Sequence, residues 1–203
     1  MEILKENVKE KIGIKGEYKF VKLSPKLQDE KIERDVLPRL RIALRNNDKI
    51  ELEKMRKENI IESINEKTNI IPTTGRAVLA RILAGDTTYT GEINYGALGS
   101  GSSAFTNSST KLNTEVYRKL TSSSSYDANI AYVDWFITTA DVANQTFQEF
   151  GAFIDGTASA DSGQAFSLLV TGGWTKSGSI FISAKYTINW YETFWTNKKE
   201  NES

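Results

Sequence analysis

The chain has 203 residues, 39% apolar and 26% charged, with a formal net charge of zero, no cysteine and no histidine. Disulfides and thiolate metal sites are therefore excluded, as are serine–histidine and cysteine–histidine catalysis, and the prior for any catalysis falls. No apolar run approaches the ~18 residues that span a bilayer and the first residues lack an apolar secretory core, so neither membrane insertion nor a signal segment is expected.

Charge is unevenly spread. Residues 1–72 hold 17 Lys/Arg and 14 Asp/Glu, against 9 and 12 in residues 73–203, so the chain changes character near Pro72. A small positive excess with interleaved signs does not argue for nucleic-acid binding. Residues 12–24 predict a strand, in which Tyr18 and Phe20 alternate with charge before Ser24-Pro25 ends it. Residues 26–68 predict two helices. The first carries Val36, Leu37, Leu40, Ile42 and Leu44, with Pro38 in a first turn after Asp35. Asn46-Asn47-Asp48 breaks it, and Asp48 is the expected N-cap of a second helix from 49 to 67. That helix bears Ile50, Leu52, Met55, Ile60, Ile61 and Ile64 as a loose apolar stripe. The pair reads either as a solvated helical hairpin with one apolar face or, given so much aliphatic surface, as an arm that packs on a neighbouring subunit. Contacts outside its own domain are predicted, with cover by the chain's own sheet as the rival.

A short extended piece at 69–72 leads into a helix that starts at Thr73-Thr74-Gly75, turns Val78, Leu79, Ile82 and Leu83 to one side and ends at Gly85. From residue 86 the texture is all β, with candidate strands at 89–98, 115–122, 129–138, 146–154, 165–171 and 179–190. In the last, Ile180, Ile182, Ala184, Tyr186, Ile188 and Trp190 share one face. Val133, Trp135, Phe166, Leu168, Ile182 and Tyr186 are expected in the core. The pattern predicts a mainly β protein: an antiparallel, jelly-roll-like β-sandwich with one short helix and an N-terminal helical insert. Its divisions are 1–25 with the first strand, 26–68 as the charged insert, 69–195 as the sandwich and 196–203 as a polar tail.

Gly96-Ala97-Leu98-Gly99-Ser100-Gly101 lacks the lysine of a P-loop and the strand–loop–helix context of a dinucleotide site, so it reads as a turn or exposed loop. Asp155 and Asp161 sit among small residues without the alternating ligands of a calcium loop, which reads as a turn between strands. A two-carboxylate hydrolase needs no histidine, but no spacing pairs Asp134, Asp141 and Glu149. Glu115 and Arg118, three apart on a strand, are expected on opposite faces. Gly151 after Phe150 suggests a close approach or a bulge. No catalytic residue, cofactor or metal site is expected.

Several segments in order nevertheless form a pattern: the helix ending Ala-Arg-Ile-Leu-Ala-Gly85, then Tyr95-Gly96-Ala97-Leu98-Gly99-Ser100-Gly101, a polar loop, Leu112-Asn113-Thr114-Glu115-Val116-Tyr117-Arg118, and Glu149-Phe150-Gly151-Ala152-Phe153. This resembles a group of small bacteriophage virion proteins of the tail-fibre, minor tail or head-associated type, over residues 69–190. The resemblance implies a non-catalytic structural subunit located in the virion, most simply tail-, baseplate- or fibre-associated. Its partners would be copies of itself, in a homo-oligomer, and other phage structural proteins. Alternatives are a capsid decoration or head-vertex protein, or a receptor- or carbohydrate-binding module that meets a host surface glycan or receptor. The insert at 26–68 departs from the family pattern, where a simple hairpin is expected. Interface candidates are Leu40, Leu44, Leu52, Met55, Ile60 and Ile64 on the insert, with Trp190 and Trp195 near the end.

Overall fold

The computed structural model describes residues 9–142 and 145–193. It is mainly β, with two antiparallel sheets. The first contains β1 (Lys9–Leu23), β2 (Ile61–Thr68), β5 (Ser123–Asp127), β6 (Ile130–Ile137) and β9 (Ile180–Thr193), in the order β2-β1-β9-β6-β5. The second contains β3 (Ile93–Gly99), β4 (Glu115–Leu120), β7 (Thr146–Ile154) and β8 (Gln164–Thr175), in the order β4-β3-β7-β8. The expected strands are all present, and β2 and β5 are additional.

Strand alternation sends one set of side chains from each sheet into a shared core. Tyr18, Phe20, Val133, Trp135, Ile182 and Tyr186 from the first sheet meet Leu98, Phe147, Phe150, Phe166 and Leu169 from the second. Phe150 sits at the centre, edge-on to Trp135 at 5.2 Å and to Tyr18 at 5.5 Å between ring centroids. Such edge-to-face contacts add to the gain from burying the rings. Leu168, also expected here, is buried on the opposite face of its sheet. A bulge where Ala152 and Phe153 face Ser167 and Ala165 inserts Phe166 and reverses the alternation.

Both outer faces are covered as well. On the first sheet, Ile64, Val21, Phe181 and Phe136 lie side by side across four strands. Over them lies a helical run: α1 (Asp29–Lys31), a π-helical turn (Ile32–Val36), α2 (Leu37–Arg45) and α3 (Lys49–Lys57). Ile32, Val36, Leu37, Leu40, Leu44, Leu52 and Met55 close this second core. Pro38 is the second residue of α2 and so lies in its first turn as expected, but the residue before that helix is Val36 rather than Asp35 and no side chain caps the turn. The proline follows the wide turn in which Leu37 N–H reaches back to Ile32 O, a setting that accommodates a residue with no N–H to give. Asp48 caps α3 as expected, accepting from Ile50 N at 3.1 Å and Glu51 N at 3.0 Å.

The second helix does not run to residue 67. It stops at Lys57, Asn59 takes a left-handed φ of 56°, and β2 begins at Ile61. The division at 26–68 is corrected accordingly: β2 is an edge strand of the first sheet, and the helices are its outer layer. On the second sheet the outer face is covered by the loop after β3, which lays Phe105 and Leu112 over Ala97, Phe153 and Leu168. Finally, α4 (Thr73–Leu83) packs on β8, where a Cβ at Gly75 would lie 2.7 Å from Phe166 O.

Candidate functional site

Three of the motif segments, at 95–101, 112–118 and 149–153, meet at one carboxylate. Glu149 stands on β7 on the outer face of the second sheet, fully buried. Its Oε1 accepts from Thr114 N at 2.7 Å and Gly101 N at 3.1 Å, and its Oε2 from Asn113 N at 3.0 Å and Asn113 Nδ2 at 2.9 Å. The glycines are required for this approach: a Cβ on Gly101 would sit 2.8 Å from Glu149 Oε1, and one on Gly99 would fall on the same carboxylate. Gly99 thus belongs to strand β3 rather than to an exposed turn, and Gly101 begins a loop fixed by a charge.

Arg118 and Glu115 make a second clamp. A bulge at Val116 sets Gly99 opposite Glu115 and Leu98 opposite Tyr117. The extra residue brings positions three apart to one face, correcting the expected opposition. Arg118 Nε and Nη2 donate to Glu115 at 2.6 and 2.8 Å, and Nη1 reaches Thr157 O at 3.0 Å and Ser162 O at 3.1 Å. The guanidinium lies over the Phe153 ring at 5.0 Å. Glu115 also accepts from Asp161 N at 3.1 Å, so the pair locks the turn at 155–163. In that turn Asp155 holds Thr90, and Asp161 pairs with Lys111 at 2.6 Å. Among the described residues no cluster of three or more potential metal-ligating side chains occurs.

The first sheet carries a separate polar surface beside α2. Two cross-strand rows form its floor: Thr68, Glu17, Lys185, Tyr132, and Glu66, Lys19, Ser183, Asp134. The turn from Leu44 to Asn47 walls a groove of about 520 Å³ above them. Asp134, fully buried, accepts from Ser183 Oγ at 2.7 Å and Arg45 Nη2 at 3.3 Å. Arg41 Nε is also 3.3 Å away, but without hydrogen-bond alignment. Arg41 lies over the Phe181 ring at 5.6 Å and Arg45 over the Tyr132 ring at 4.9 Å. Burial pushes the Asp134 carboxyl up, and Ser183, Arg45 and Arg41 only partly offset it.

At one end of the sandwich Asp141 accepts from Lys119 Nζ at 2.7 Å, Thr138 N at 2.7 Å and Tyr117 OH at 2.9 Å. Burial pushes its carboxyl up, but these donors together hold it below the ordinary value. Nearby, Lys176 is only 2% exposed and donates to Thr139 O at 3.2 Å. Burial pushes its ammonium pKa down, against the pull of Asp141 and Asp29. Asp134, Asp141 and Glu149 thus lie on opposite outer faces and at one end, not around a common cleft.

Comparisons with protein-family models, curated proteins and solved structures find no match for this chain.

The interface candidates of the insert are placed otherwise than expected. Leu40, Leu44, Leu52 and Met55 are buried against this chain's own sheet, and Ile60 and Ile64 are partly buried in the same cluster. They are not a face offered to another subunit, because the row Val21–Phe181–Phe136 supplies the cover. Trp190 stands opposite Ile12 in the β1–β9 register, with its side chain outside the described set, and Trp195 lies outside the described residues. Sequence reading missed the clamps at Glu149 and Asp134; the glycines that admit Glu149 were the available signal.

Proposed function

We propose that this chain is a non-catalytic structural subunit of a bacteriophage particle, tail-, baseplate- or fibre-associated, built on a jelly-roll-like sandwich. What supports this reading, beside the sequence resemblance, is the use made of the charged motif residues. Glu149 binds the backbone at Gly101, Asn113 and Thr114, and Glu115 and Arg118 bind each other and the loop at 155–163. Groups engaged in this way hold surface loops in one conformation, as a subunit needs whose loops meet fixed neighbours. The jelly-roll comparison is supported by a chain that visits the two sheets two strands at a time and returns its last strand beside its first.

The test is composition of the particle. Particles purified from a host carrying a tagged copy should contain the chain by mass spectrometry, and it should remain with isolated tails. Its absence from pure particles would overturn the reading; recovery with tailless heads would favour capsid decoration instead. The groove beside α2, with Tyr132, Lys185 and Lys19 on its floor, supports a second reading as a receptor- or glycan-binding module. Glycan binding by the isolated chain that is lost on Lys185→Ala would favour it.

A further inference from the structure

The four sheet edges are not equivalent. β8 is covered by the bridge between Ile70 and Leu168 and by α4. β4 is broken by the bulge at Val116 and carries Arg118 and Lys119. β2 has a bulge at Glu62 and charges at Glu62, Glu66 and Lys67. These are the usual devices that keep a sheet edge from pairing with another chain. β5 is five residues long and ends on Asp127, but no bulge breaks it and no basic residue stands on it. Its sequence is Ser123-Ser124-Ser125-Tyr126-Asp127, without lysine, arginine or proline, and its register with β6 is unbroken. One further observation singles it out: Tyr126 is 85% exposed.

We propose that β5 is the docking edge for a second copy of this chain, the two strands pairing antiparallel about a two-fold axis through Ser125. In this register Ser125 meets the partner's Ser125, Ser124 meets the partner's Tyr126, and Ser123 meets the partner's Asp127. No charge faces a like charge, and each tyrosine ring lies across a small serine. The contact is self-complementary and uses both edges at once, so it closes at a dimer and joins the two five-stranded sheets. Five residues a side is well short of the ~20–30 of a stable interface, so the association is weak and concentration-dependent. It goes beyond the particle reading and does not rest on it.

The test uses the full chain, by sedimentation equilibrium and amide hydrogen exchange from micromolar to millimolar concentration. The expected result is a monomer–dimer shift in which amides of 123–127 slow at high concentration while those of β9 do not change. Tyr126→Lys, at an exposed side chain, should weaken association about tenfold or more, and Ser125→Pro should abolish it. Because proline also perturbs the β5–β6 pairing, Tyr126→Lys carries the test if Ser125→Pro fails to fold. A chain that stays monomeric throughout would overturn the proposal. So would a dimer that leaves the 123–127 amides unprotected, or one unaffected by Tyr126→Lys.

Discussion

Glu149 is buried with N–H donors around it and no cation paired with it among the described residues. Removing it leaves those donors without their acceptor, and each buried, unsatisfied donor costs ~1–3 kcal/mol. Glu149→Ala is expected to lose about 3 kcal/mol or more of unfolding free energy in urea. Glu149→Gln is expected to rescue little, since its amide NH₂ would face N–H donors. Variants within about 1 kcal/mol of wild type would show that the loop is held by something else. Asp134 carries a prediction about pH. An unfolded aspartate titrates near 3.9, and burial raises the folded carboxyl above that. Protonated Asp134 is therefore favoured by folding. Its contribution is fully present below the unfolded value and is lost as pH rises through the folded one. The stability of wild type relative to Asp134→Asn should fall as pH rises through that window, then level off. A difference that grows with pH would mean that Arg41 and Arg45 outweigh the burial.

The helices differ from a free arm in which face they bury. Leu40 and Met55 are fully buried against the first sheet, while Ile50 is 85% exposed. Leu40→Ala or Met55→Ala should cost about 2–5 kcal/mol, and Ile50→Ala about 0.5 kcal/mol or less, in thermal or urea unfolding. An arm that packed elsewhere would show little effect at Leu40 in the isolated chain. The strands from β6 onward were legible because Val133, Trp135, Ile182 and Tyr186 keep a strict period of two, and α3 because Asp48 marks its start. What misled was the spacing of three. Ile61 and Ile64 look like a helical stripe, and Glu115 and Arg118 look like opposite faces of a strand. In both cases a bulge, at Glu62 and at Val116, inserts one residue and returns positions three apart to the same side. A bulge is set by the partner strand, which sequence spacing does not record. β5 was illegible for another reason: Ser123, Ser124 and Ser125 carry no apolar alternation, and β6 alone recruits them. The clamp at Glu149 joins positions far apart in the chain, so only the glycines hinted at it.

At the scale of the molecule, four layers follow from two sheets that each need cover on both faces. Excising residues 26–68 would strip the helices from Val21, Phe136 and Phe181 and also remove an edge strand. The shortened chain is expected to be unfolded or insoluble; a soluble product with native near-ultraviolet circular dichroism would show that the outer layer is dispensable. The long pairing of β1 with β9, from Lys9 opposite Thr193 to Lys22 opposite Ile180, bears on how the protein is made. At ~5–20 residues per second a ribosome finishes β9 roughly 10–30 s after β1. During that interval β1 has β2 on one side and nothing on the other, and the helices have half a floor to lie on. The nascent chain thus holds Val21 and Phe20 in wait for a strand not yet translated, and a holdase that binds such segments would raise its yield. Relinking the chain so that β9 is synthesised directly before β1 would shorten the wait to the length of one turn.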